Sequence, residues 1–73
     1  MKKLNSILLK SQIVLHDKKI SEVAEILNIS KSAFYRKLKG KTEFTRQEIE
    51  ILIKCLGLSI EMAMEIFFNE KVS

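Results

Sequence analysis

The chain has 73 residues, 47% of them hydrophobic and 30% charged, with no proline, two glycines, one cysteine and one histidine. One Cys and one His exclude a disulfide framework and a four-ligand zinc site, and they lie too far apart in sequence to read as a nucleophile–base pair. No apolar run approaches the roughly 20 residues of a membrane span, and MKKLNSILLK is interrupted too early for a secretory apolar core of about 7–15 residues. The length fits a single domain, 1–73, burying roughly 60% of the surface its unfolded chain exposes. The lone Cys55 fits a reducing, cytoplasmic setting. No glycine-rich phosphate loop is present, so neither an enzyme nor a cofactor, metal or small-molecule substrate is expected.

Net charge is +4. Residues 1–46 hold eleven Lys/Arg and four Asp/Glu, which is +7; residues 47–73 hold two Lys and five Glu, which is −3. One pole is cationic and the other mildly acidic, an asymmetry suited to an oriented encounter with a polyanion.

Low glycine, no proline and much Leu, Ile, Lys, Glu and Ala predict an all-α domain, and five helices are legible. The first spans about Leu4 to His16, with Leu4, Ile7, Leu8, Ser11, Val14 and Leu15 as its inward face. His16 stands at its end, where a cation is favourable. The second spans about Ser21 to Leu27 or starts one or two residues earlier; Ser21 is able to serve as its N-cap, and Val23, Ala24 and Leu27 face inward. Asn28 follows as a left-handed residue ending that helix. Ser30 caps the third, about Lys31 to Lys39, in which Phe34 and Leu38 face inward and Gly40 closes the end. After a loop from Lys41 to Phe44, Thr45 and Glu48 form a capping box for the fourth. Its stripe is Ile49, Leu52, Ile53 and Leu56, and Gly57 ends it. Ser59 caps the fifth, about Ile60 to Phe68, with Ile60, Ala63, Met64 and Phe67 on one face.

The stretch Ile20 to Lys39 resembles the helix-turn-helix of the phage Cro and repressor family, part of the lambda-repressor-like group. The family places a small residue at the fifth position of this motif, here Ala24. It places apolar residues at the fourth, eighth, tenth and fifteenth, here Val23, Leu27, Ile29 and Phe34. SKSAFYRKLKGK, Ser30 to Lys41, is similar to its recognition segment. LGLS (Leu56 to Ser59) and IFFN (Ile66 to Asn69) are similar to small phage members. Two positions depart from the pattern: Asn28 stands where glycine is usual, and Ile20 where a phosphate-binding glutamine is common, so that Lys18 or Lys19 would take over that contact.

The resemblance implies a five-helix lambda-repressor-like domain whose third helix enters the major groove of double-stranded DNA. Its base-contacting residues would be Lys31, Ser32, Tyr35 and Arg36. Arg36 is suited to a bidentate contact with guanine, and Lys31 reaches the same acceptors less rigidly. Tyr35 would touch a thymine methyl or a phosphate, or pack against the second helix with its hydroxyl in water. Lys19, Lys37, Lys39, Lys41, Thr42 and Arg46 would contact phosphates, with backbone amides of 40–42 adding to them. Members usually bind as two-fold dimers with half-sites about 34 Å apart, and Leu58 and Phe68 are the candidate dimer contacts. The apolar surplus of the fifth helix (Met62, Ile66, Phe68) serves either such a dimer or the monomer core. The expected function is sequence-specific transcription regulation in a phage or prophage switch. The absence of room for a ligand-binding or cleavage domain favours a Cro-like protein over a full-length repressor. The alternative is an antirepressor-type module that binds another phage regulator through its C-terminal half.

Overall fold

The computed structural model describes residues 4–68. Five helices follow one another: α1 Ser6–Leu15, α2 Ile20–Ile26, α3 Lys31–Leu38, α4 Arg46–Leu56 and α5 Ile60–Phe67. Among the described residues there is no strand, and no helix is long and apolar enough to cross a membrane. Asn69, the end of the IFFN segment, lies outside the described residues.

Side-chain oxygens begin four of the helices. Asn5, Ser30, Thr45 and Ser59 each accept a backbone N–H from three residues on, at 3.0–3.1 Å, satisfying donors that the first turn leaves open. The start of α2 differs from expectation. Ser21 lies inside the helix, Lys19 is the N-cap residue, and the Glu22 carboxylate accepts the Lys19 N–H at 2.8 Å.

Four helices also end alike, in a residue of positive φ: Asp17 (56°), Asn28 (59°), Gly40 (81°) and Gly57 (58°). In all four turns the residue after it donates its N–H to the carbonyl five positions earlier: Lys18 to Ile13, Ile29 to Ala24, Lys41 to Arg36 and Leu58 to Ile53. This double closure satisfies carbonyls that the last turn leaves open. The sequence marks Asn28, Gly40 and Gly57; Asp17 is the unmarked member, a residue whose short polar side chain tolerates the left-handed region.

The core is one cluster formed by Leu9, Ile13, Val23, Ala24, Leu27, Phe34, Leu38, Leu52, Leu56, Leu58, Ala63, Ile66 and Phe67. Phe44, in the loop between α3 and α4, joins its two ends. Its ring meets Phe34 edge-on at 5.6 Å between centroids and Phe67 edge-on at 6.1 Å. Each such pair adds about 0.5–1.5 kcal/mol beyond the area it buries. The start of the chain is tied to α5 by the Asn5 N–H, which donates to the Ile66 carbonyl at 2.7 Å.

Three expectations about inward faces are corrected. In α1 the buried residues are Leu9 and Ile13, on the side opposite the expected stripe. Ile7, Val14 and Leu15 stand 80%, 73% and 74% exposed, while Leu4 and Leu8 are only partly buried. The helix is apolar on both sides, so periodicity alone does not choose between them; packing on α2 and α5 does. In α5, Ile60 is exposed and Ile66 is fully buried, so the apolar surplus of this helix goes partly into the monomer core. Leu58, expected at a dimer interface, belongs to the core as well. Its N–H donates to the Ile53 carbonyl as the chain turns from α4 to α5, which carries the side chain inward.

Candidate nucleic-acid interface

α2 and α3 meet through a turn of four residues, 27–30. Ala24, almost fully buried, is small enough to let the two helices approach, and Val23, Leu27 and Phe34 fill the angle between them. Packing Phe34 and Leu38 inward determines what α3 shows outside. Ser32, Tyr35, Arg36 and Lys39 recur at i, i+3, i+4 and i+7 and are all exposed, with Lys31 exposed at the N-terminal end. No acidic residue lies between Lys31 and Thr42. The four base-contacting candidates, Lys31, Ser32, Tyr35 and Arg36, are therefore brought onto one helix with their side chains accessible.

The phosphate-contacting candidates divide. Lys39, Lys41, Thr42 and Arg46 are exposed, from the end of α3 to the start of α4. Lys37 is not available in the same way. Its side chain is 13% exposed, and its ammonium lies 3.1 Å from the Glu48 carboxylate. The same ammonium donates to the Glu43 carbonyl at 3.1 Å and stands 5.8 Å above the Phe44 ring centre. Lys37 links the second helix of the motif to α4. The signal that could have found this is its position: it flanks the Phe34–Leu38 stripe of α3, on the side that meets the loop. The backbone amides expected to add to phosphate binding are also partly committed, since Gly40 and Lys41 donate theirs to the Lys37 and Arg36 carbonyls.

Glu48 carries the other half of that link. Burial opposes its charge, but the Thr45 backbone N–H and the Lys37 ammonium beside it outweigh burial and hold the carboxyl below the ordinary glutamate range. It accepts the Thr45 N–H at 2.8 Å while the Thr45 hydroxyl accepts the Glu48 N–H at 3.1 Å, completing the capping box read from the sequence.

Lys19 lies elsewhere, in a surface groove where α1, the α1–α2 turn and the N-terminal end of α3 converge. The groove is lined by Lys10, Val14, Lys18, Lys19, Lys31 and Tyr35, over a floor of Ile13 and Ile20. The sequence places Lys10 on α1 and Lys31 on α3 without any hint that they share a cleft, because 20 intervening residues must first fold back. Of the two dimer candidates, Leu58 is in the core, and Phe68 is half-buried and packed against that core.

This arrangement, two short helices crossing at a small residue with the second helix exposed and basic, defines an all-α helix-turn-helix domain. The chain belongs to the BetR domain family, whose model matches residues 2–71. No curated protein and no solved structure matches the chain.

Proposed function

We propose that this domain is a sequence-specific DNA-binding transcription regulator of the Cro and repressor type. The observation that carries the reading is the outward face of α3. Ser32, Tyr35, Arg36 and Lys39 form one accessible stripe, with Lys31 at its head and no carboxylate among them. A B-DNA major groove about 12 Å wide admits one helix, and these residue types match its donor and acceptor edges. Arg36 and Lys31 would read guanine, Ser32 and Tyr35 would add contacts to neighbouring bases, and Lys39, Lys41, Thr42 and Arg46 would hold phosphates.

Pairing of two copies on a palindromic operator belongs to the same reading. Leu58 does not serve it, being internal. The exposed stripe of Ile7, Val14 and Leu15 offers a second copy an apolar face. Three side chains fall well short of the about 800 Å² per partner of a standard interface, so pairing is expected on DNA and not in free solution. The alternative, a regulator-binding module working through its C-terminal half, has less support, since Ala63, Ile66 and Phe67 are spent on the core.

Selection of bound duplexes from a random pool tests the proposal. A recurring half-site, with two copies spaced by about one helical turn, is the expected result. Recovery of no sequence preference, together with binding that ignores salt, would overturn it.

A further inference from the structure

The groove between α1 and the helix-turn-helix belongs to the cationic half of a chain whose other half is acidic. Lys10, Lys18, Lys19 and Lys31 line it above the apolar floor of Ile13 and Ile20, and among the described residues no carboxylate does. None of the four lysines takes part in an ion pair among those residues. A concave wall of low dielectric strengthens their joint field. The outer side of α5 has the same composition with the sign reversed. Ala63, Ile66 and Phe67 turn into the core. Glu61 and Glu65 are thereby left one turn apart on the opposite side, beside a second row of Ile60 and Met64. Ile60 is 79% exposed, Glu61 is exposed, and Met64 and Glu65 are half-buried. Neither glutamate is held in an ion pair among the described residues. One surface is an apolar floor rimmed by ammonium groups; the other is an apolar ridge flanked by carboxylates.

We infer that the groove takes the outer side of α5 of a second copy of this chain, with Glu61 and Glu65 among the lysines and Ile60 and Met64 on the apolar floor. The contact joins unlike surfaces, and so is separate from like-to-like pairing through Ile7, Val14 and Leu15. Nine residues line the groove, against the about 20–30 a side of a standard interface. The association is therefore weak, concentration-dependent and sensitive to salt. Lys31 and Tyr35 belong both to the groove and to the outward face of α3. A seated copy covers the head of that face, so self-association and duplex binding exclude each other. This consequence, and not the contact itself, rests on the DNA-binding reading above.

The test is sedimentation equilibrium of the full chain without DNA, up to millimolar concentration. It is run at about 0.01 M salt, where charges act over about 30 Å, and at about 1 M, where they act over about 3 Å. At low salt the average mass should rise with concentration above the 8.5 kDa of one chain, and at high salt it should fall back towards it. Lys10→Glu/Lys31→Glu and Glu61→Lys/Glu65→Lys should each weaken self-association by about tenfold or more, because like charges then face each other. Mixed together, the two variants should associate. A chain carrying all four changes keeps the net charge of +4 and should recover wild-type behaviour. Ile60→Ser, which alters no charge, should weaken the association as well, and thermal melting verifies each fold. A wild-type chain that stays at the mass of one chain at low salt would overturn the inference. So would charge-reversed variants that associate as wild type does, the result expected of like-to-like pairing. Folded variants that fail to recover on mixing, or a four-change chain that stays single, would overturn it too. Duplex DNA in excess should disperse the association; assemblies holding both would overturn the mutual exclusion alone. Duplex binding at low protein concentration judges the DNA-binding reading separately, and its absence would leave the self-contact standing.

Discussion

The Lys37 ammonium lies 3.1 Å from the Glu48 carboxylate and joins α3 to the first turn of α4. Both side chains are 13% exposed, so the pair is shielded yet not sealed from water. Its value lies between the about 0.2–1 kcal/mol of an exposed pair and the about 3–5 kcal/mol lost when one member of a buried pair is removed. Lys37→Met, which keeps the stem and deletes the charge, should cost about 1–2 kcal/mol in urea denaturation. It should leave the salt slope of DNA binding close to wild type, whereas Lys39→Ala and Lys41→Ala should each flatten it. A flattened slope with unchanged stability would return Lys37 to the phosphate-contacting set.

The same link makes stability depend on acid. The folded carboxyl of Glu48 sits below its ordinary value, so the unfolded chain binds the proton more readily. The contribution is fully present above the unfolded glutamate value of about 4.3 and is lost as pH falls through the lower folded value. Glu48→Gln should therefore lower the melting temperature near neutrality and narrow its difference from wild type as the pH is taken below that value. Melting curves at stepped pH measure this; a difference that stays constant with pH would show that the charge contributes nothing.

α1 offers a direct check on which of its apolar sides is internal. Ile13 is buried and Leu15 is 74% exposed. Ile13→Ala should cost about 2–5 kcal/mol through the cavity it leaves. Leu15→Ser should change stability by no more than about 0.5 kcal/mol, as an exposed substitution does. Equilibrium denaturation of the two variants reads both, and a reversed order would mean that the helix is rotated.

Asn28 holds φ at 59° in the turn between α2 and α3. A Cβ in the left-handed region costs about 1–2 kcal/mol unless the side chain bonds locally. Asn28→Ala should destabilise the domain by about 1 kcal/mol, and Asn28→Gly should be neutral or slightly stabilising. Paired thermal melts decide it; equal losses in both would mean that the Asn28 side chain matters for more than backbone conformation.

On the proposed DNA-binding reading, substitution of Arg36 tells sequence reading from simple attraction. Arg36→Ala should cost about 1–3 kcal/mol on a selected site and much less on random duplex, relaxing preference at one base position. Competition binding with single-base variants of the site measures this. An equal loss on all duplexes would show a phosphate contact.

What was legible in the sequence is local. Asn28, Gly40 and Gly57 mark helix ends because few residues tolerate positive φ. Ser30, Thr45 and Ser59 mark helix starts because their side chains accept open N–H groups three residues on, and Glu48 because its carboxylate reaches back to the Thr45 N–H. Ala24 and Phe34 set the register of the two crossing helices, and with it the exposed basic face of α3. Each of these depends on residues within one or two turns of each other, and so is written in their order along the chain.

The rest depends on elements far apart in sequence. α1 is apolar on two sides, and only its seat on α2 and α5 turns Leu9 and Ile13 inward. Leu58 looks like any apolar residue after a helix until the α4–α5 turn carries it into the core. Lys37 reads as one more cation of a basic helix until Glu48 and Phe44 arrive beside it. Lys10 becomes a neighbour of Lys31 only when α1 packs beside the helix-turn-helix. Spacing determined which residues share a helix face; which face meets which, and so which charges remain outside to meet a partner, was decided by the one packing that buries the apolar side chains together.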